Sequence, residues 1–487
     1  MASAAAAVEV PPAKLVSATN HVVPGQLLVT ELFFRVPLDY ADPAAGSITL
    51  FGRRASKRER PVFPPDADRD EAEAEADDDD DDDDGKPPPK PYMVYLEGGP
   101  GFGNREPQDH PLTRTALSRG YQVLYLDHRG VGLSTPVSAA MLARLGDADA
   151  QARYMRLMRQ DNTVRDCEAV RRCLTAGWPA AKAAWSIFGQ SYGGFVALSY
   201  LSMHPRGLRE VFLTGGLAPV GRSPEHVYQA TFRRTADRNR RYFDKFPEDA
   251  AVLRRLAAHL DAQGGAVPLP AGGCLTLPRL LTSGIAFGGH GGFDSVHNLL
   301  LHLDASLDQF GFLARPALQP LETFTSFDTN IIYALLHEAI YCDGPGRASD
   351  WAAYRVGRAL EPFSWLDPDR AARPDRTPYF SGEMIFPLHF ETYPELIPLR
   401  DLAEKLAATD DWPRLYDEQQ LRNNSVPVYA VSYVEDMYVD YDFARDTARL
   451  VRGTKVAETN LMYHSALRAK ADEVMQMLFS LRDDVLD

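Results

Sequence analysis

The stretch Gly189-Gln190-Ser191-Tyr192-Gly193 decides the fold of this sequence. It follows the apolar run 185–188 and precedes the apolar run 195–201, so it reads as a buried strand, a tight turn and a helix, with a serine at the apex of the turn. Glycines two residues before and two after Ser191 suit such an elbow, because it brings backbone segments too close together for a Cβ. A serine raised on this turn is presented for attack, yet it is a weak nucleophile until a neighbouring base takes its proton.

Working outward, the short apolar runs 92–96, 122–126, 184–188 and 210–214 alternate with helical or loop segments, the pattern of a buried parallel sheet with crossover helices. Residues 27–36 and 47–53, separated by a turn at Asp42-Pro43, read as an opening hairpin at an antiparallel edge. Upstream of the elbow, Glu97-Gly98-Gly99-Pro100-Gly101 follows a strand end, where the backbone N–H of Gly99 would pair with that of Tyr192 to hold an oxyanion. No Gly-Lys-Ser or Gly-Lys-Thr follows, which argues against a phosphate loop. Downstream, Asp436 lies just beyond the strand pattern 426–434, and His464 follows the next candidate strand. The order serine, acid, histidine is that of the α/β-hydrolase fold, with His464 as base and Asp436 fixing its tautomer. Of twelve histidines only His464 falls in that window, whereas Asp440 and Asp442 compete with Asp436, which is nearest the strand end.

From 220 to 422 the pattern is mainly helical, with clear helix spacing over 227–246 and 250–263, and reads as a cap domain inserted into the core. The expected organisation is a first core part over 1–219, the cap over 220–422, and a second core part over 423–487 ending in an amphipathic helix at 472–486. Residues 61–91 interrupt the first part with prolines, Glu-Ala alternation and eight consecutive aspartates, 77–84, and read as a disordered surface insertion. Residues 66–84 alone carry fourteen acidic groups against Arg69, so most of the net charge of −15 resides there and the remainder is nearly neutral. A whole-chain basic character suited to nucleic acid or anionic lipid is therefore not implied. Cys167, Cys173, Cys274 and Cys342 have neither zinc-site spacing nor the density of a disulfide scaffold, and read as buried free thiols. The N-terminal residues lack the basic start and apolar run of a secretory signal, and no stretch reaches about 18 uninterrupted apolar residues, so a soluble cytoplasmic enzyme without membrane partners is expected.

Several segments together resemble the larger-sized branch of the prolyl iminopeptidases (proline iminopeptidases, prolyl aminopeptidases): Gly98-Gly99-Pro100-Gly101, Asp127-His128-Arg129-Gly130-Val131-Gly132-Leu133-Ser134, the elbow, His337-Glu338-Ala339-Ile340-Tyr341-Cys342, Gly382-Glu383-Met384-Ile385-Phe386-Pro387 and Glu435-Asp436-Met437-Tyr438-Val439-Asp440. The resemblance runs from about residue 27 to the end. It implies a Ser191–His464–Asp436 triad, release of N-terminal proline from peptides through a prolyl-enzyme, no cofactor or metal, and Glu338 and Glu383 of the cap as anchors for the free α-amine. Such anchors make chemical sense, because the cationic amine is what an internal peptide bond lacks, and carboxylates bind it by charge-assisted hydrogen bonds. Tyr341, Phe386 and Tyr192 are candidates for an aromatic slot around the pyrrolidine ring. The sequence departs from the family pattern at Glu97, where relatives commonly carry histidine or an uncharged polar residue, and after His464, where they usually carry glycine. Two other readings stand beside this one: an esterase or amidase on the same fold, which would not need the glutamates, and a non-catalytic binding scaffold.

Overall fold

The computed structural model describes residues 9–58, 90–325, 327–367 and 377–484. The strands are β1 (Lys14–Val23), β2 (Leu27–Pro37), β3 (Ser47–Lys57), β4 (Tyr92–Leu96), β5 (Gln122–Leu126), β6 (Trp185–Gln190), β7 (Leu208–Thr214), β8 (Val267–Pro268), β9 (Cys274–Leu275), β10 (Val428–Tyr433) and β11 (Thr454–Thr459). Nine of them form one sheet in the order β1-β2-β3-β5-β4-β6-β7-β10-β11, and β8 pairs with β9 in a two-residue ribbon. Pairing is antiparallel from β1 through β3 to β5, and parallel from β5 to β11.

The central strands read as continuous apolar runs because both their faces are buried. Alternate side chains point to opposite sides of a strand. Val94, Leu96, Ile187, Val211, Leu213 and Val428 enter one core, which is also built from the helices Gln160–Leu174 and Tyr192–Met203. Met93, Tyr95, Phe188, Phe212 and Tyr429 enter another, against Leu112–Ser118 and the terminal helix Ala471–Asp483. That last helix ends at Asp483, short of the expected 486; residues 485–487 and 59–89, hence nearly all of the acidic insertion, lie outside the described residues.

Between β7 and β10 the chain is mainly helical. Pro224–Lys245 buries Val227, Tyr228, Thr231, Phe232, Thr235, Asn239 and Tyr242, a stripe at helical spacing that continues the core of the sheet. Helices Asp249–Ala262 and Gly292–Phe310 follow, and a further apolar cluster joins Ile331–Leu336 to Met155, Met158 and Leu402.

The segment 127–134 is a connector. Asp127 accepts from the N–H groups of Asn104 and Leu133, at 2.8 and 3.1 Å, and the Ser134 hydroxyl donates to the Asp127 carbonyl. Arg129, fully buried, makes two 2.7 Å contacts to the Asp166 carboxylate, donates to the carbonyls of Leu38 and Leu157, and so ties the opening hairpin to helix Gln160–Leu174. All four cysteines are free; Cys167 and Cys342 are buried, but Cys173 and Cys274 are only half-buried, at a helix end and in the small ribbon.

Candidate active site

The elbow is forced by packing on every side. Ser191 takes φ 53° and ψ −123°, its N–H donates to the Thr214 carbonyl at 3.1 Å, and the residues that follow start a helix whose first ten residues are all buried. A Cβ on Gly193 would lie 2.0 Å from the Leu96 carbonyl oxygen, and one on Gly189 2.6 Å from that of Gly193. Those contacts are the physical reason for the two glycines.

His464 Nε2 lies 2.8 Å from Ser191 Oγ, and His464 Nδ1 lies 2.7 Å from Asp436 Oδ2. The other Asp436 oxygen accepts from the N–H groups of Tyr438 and Val439 at 2.8 and 3.1 Å, which fixes the carboxylate in a tight turn beyond β10. Asp440 and Asp442 do other work: Asp440 caps helix Tyr441–Leu450, and both pair with Arg234. The His464 ring is held edge-on by Tyr438, 4.7 Å between centroids, and its backbone N–H donates to the Gly288 carbonyl. No residue of 463–468 needs a positive φ, so the absence of a glycine after His464 does not disturb this loop. Burial pulls the His464 pKa down, but the charge and hydrogen bond of Asp436, with Glu383 adding to them, leave it raised above its ordinary 6.5. Ser191, His464 and Asp436 are all buried, so this electrostatics acts in a weakly screened environment.

The loop 97–101 runs beside the elbow. A Cβ on Gly98 would meet Gln190 Oε1 at 2.5 Å and the Ser191 Cβ at 3.0 Å. The Gly98 N–H donates to Glu97 Oε1 at 2.8 Å, and Gly99 follows it with φ 126°. Tyr192 is the first residue of the elbow helix, where N–H groups have no intrahelical acceptor and the helix dipole favours negative charge. Glu97 is itself buried, receives the Tyr95 hydroxyl at 3.3 Å, and lies 3.5 Å from Arg468.

The two expected amine anchors are placed differently. Glu383 accepts from the Tyr333 hydroxyl at 2.9 Å, lies 3.5 Å from His337 Nε2, and raises the pKa of His464, Tyr438 and Tyr341, so its charge is within electrostatic reach of His464. Glu338 turns to the start of helix Ala352–Ala359, where Oε1 accepts from the Ala353 N–H at 2.9 Å, and Oε2 is buried without a hydrogen-bond partner. Burial pushes its carboxyl pKa up against the hydrogen bonds it accepts. Its charge still reaches Tyr228 and Tyr341, which Glu383 also reaches. Among the slot candidates, Tyr341 packs between Phe195 and Tyr228, Tyr192 leads the elbow helix, and Phe386 packs instead on Trp365 and His389.

Residues 91–259 match the family model of the alpha/beta hydrolase fold. The sequence is 38% identical to proline iminopeptidase aneH of Aspergillus aculeatus over 476 residues, covering 98% of each chain. It is 40% identical to a proline iminopeptidase of Aeromonas sobria over 454 residues, 93% of this chain and 96% of the other. The chain belongs to the proline iminopeptidase family.

In this member of the proline iminopeptidase family, Tyr333, His337, Tyr228 and Tyr438 surround the charged groups without having been singled out from sequence. Tyr333 and His337 are four apart and therefore share a helix face, a spacing that could have flagged them; the contacts of Tyr228 and Tyr438 arise only from tertiary packing. Among the described residues no group of three His, Cys, Asp or Glu side chains is arranged to hold a metal ion, and no helix is long and apolar enough to cross a membrane.

Proposed function

We propose that this chain is a serine peptidase that releases N-terminal proline from peptides. Ser191 Oγ passes its proton to His464 Nε2 and bonds to the prolyl carbonyl carbon, while the N–H groups of Gly99 and Tyr192 hold the oxyanion. Collapse breaks the C–N bond, and His464 returns the proton to the leaving amine. Water then attacks the prolyl ester, gives its proton to His464, and frees proline as Ser191 recovers its hydrogen. Asp436 holds the His464 tautomer and stabilises the imidazolium.

Residues 220–422 act as a cap that supplies the specificity. Glu383 grips the cationic α-amine, Glu338 adds negative potential behind it, and Tyr341 and Tyr192 border the ring of the substrate. The observation that carries this reading is Glu383 set within electrostatic reach of His464. A plain acyl esterase needs the triad but has no use for a carboxylate there, and a binding scaffold needs neither.

The test compares prolyl-β-naphthylamide with its N-acetylated analogue and a short acyl ester, for wild type, Glu383→Gln and Glu338→Gln. Cleavage confined to the free-amine substrate, and weakened at least about tenfold by Glu383→Gln, is the expected result. Equal cleavage of the acetylated amide or the ester, indifferent to both glutamates, would leave only a general hydrolase. Failure of all three substrates together with no labelling by a fluorophosphonate would favour a scaffold.

A further inference from the structure

Tyr333 and His337 stand one helical turn apart and converge on one oxygen of Glu383. The Tyr333 hydroxyl donates to Oε1 at 2.9 Å, and His337 Nε2 lies 3.5 Å from the same atom. The His337 ring stacks on that of Tyr333, with centroids 4.8 Å apart and planes at 25°, and both side chains are buried. On its other side His337 Nδ1 lies 3.2 Å from the Tyr228 hydroxyl. His337 Nε2 is buried without a hydrogen-bond partner, and Glu383 Oε1 at 3.5 Å is a charge contact; with Tyr228 donating to Nδ1, Nε2 carries the hydrogen and its positive end acts on the carboxylate electrostatically. Burial and Glu383 push the Tyr333 phenol well above its ordinary pKa, as burial does with Tyr228, so both keep their hydrogens. Both contacts fall on Oε1, which leaves Oε2 to a cation.

The same helical turn seats the oxyanion loop. A Cβ on Gly101 would come within 2.9 Å of the Tyr333 backbone nitrogen and 3.4 Å of the Ile332 Cβ, and the rings of Phe102 and Tyr333 lie 5.8 Å apart. One rigid turn thus touches both the Glu383 carboxylate and the loop beside Ser191.

We infer that Tyr333 and His337 are positioning residues that aim Glu383 at the α-amine of the substrate, in register with the oxyanion loop. This rests on Glu383 being the amine anchor. Their contribution is to pre-organise a charged acceptor in a buried site, through the Tyr333 hydrogen bond and the His337 charge contact, so removing either loosens substrate binding more than it slows chemistry.

A double-mutant cycle on prolyl-β-naphthylamide tests it. Tyr333→Phe, which keeps the ring stack, is expected to raise KM about tenfold while kcat changes less than about threefold. His337→Leu should do the same, and His337→Gln, whose amide can replace Nε2–H, should recover part of the loss. In a Glu383→Gln background each of these changes should raise KM less than about twofold, because there is no carboxylate left to aim. Thermal unfolding of every variant separates these effects from misfolding, and the two histidine variants carry the test if Tyr333→Phe does not fold. Unchanged KM in folded single variants, or the same KM increase with and without Glu383, would overturn the positioning role while leaving the anchor intact. A Glu383→Gln enzyme with wild-type KM would overturn the anchor itself, and this inference with it.

Discussion

In the proposed reaction Ser191, His464 and Asp436 each have one job, and each job has its own signature. Ser191→Ala removes the proposed nucleophile and should lower kcat by about 10⁵-fold or more, measured on a prolyl arylamide, with thermal unfolding little changed because the hydroxyl it removes is the group paired with His464. The raised pKa of His464 means that its imidazolium persists above pH 6.5, so the acid limb of the kcat/KM profile should lie above that value in the wild type. Asp436→Asn removes the two largest effects that raise this pKa and leaves Glu383 alone against burial and Arg468, which lower it. The acid limb should then move to lower pH, and kcat should fall by about 10⁴-fold as the tautomer is lost. A pH profile of both enzymes checks the direction, and an unmoved limb would show that another group titrates there. The triad residues were legible in sequence because each follows a strand and they occur in a fixed order. The two glutamates were legible only through family resemblance, since nothing in periodicity tells a carboxylate held by Tyr333 and His337, as Glu383 is, from one that accepts at a helix start, as Glu338 does.

At the scale of elements, the elbow and the connector 127–134 are where small changes should have large effects. Gly193→Ala would drive a Cβ against the Leu96 carbonyl, and should destabilise the protein by about 3 kcal/mol or more in urea unfolding, because both β4 and the elbow helix would have to shift. Asp166→Ala would leave Arg129 buried and unpaired and deprive the Tyr40 hydroxyl of its acceptor. Both members of that pair are buried, so a loss of about 3–5 kcal/mol is expected, far beyond that of an exposed ion pair. The central strands were readable because burial on both faces makes them continuous apolar runs. β1 was missed because it is an exposed edge strand: Lys14–Val23 is held by its ladder to β2, with no buried face to impose an alternation on its sequence. The helix Pro224–Lys245 was found to within about three residues, since its buried stripe has the period of a helix.

Taken whole, the molecule joins a sheet whose loops bring Ser191, His464 and Asp436 together to a mainly helical segment whose Glu383 acts electrostatically on His464. Its stability rests on packed cores and buried ion pairs, and among the described residues all four cysteines are free. Thermal unfolding and activity should therefore be the same with and without dithiothreitol, and a drop in either on reduction would point to a disulfide absent from this fold. The most direct test of the central claim is release of free proline from a short peptide beginning with proline and from its N-acetylated twin, by wild type and Ser191→Ala. Proline released stoichiometrically from the free peptide alone, and only by the wild type, is the predicted result. Proline release that survives Ser191→Ala, or acetyl-proline released as readily from the blocked twin, would contradict an aminopeptidase built on Ser191.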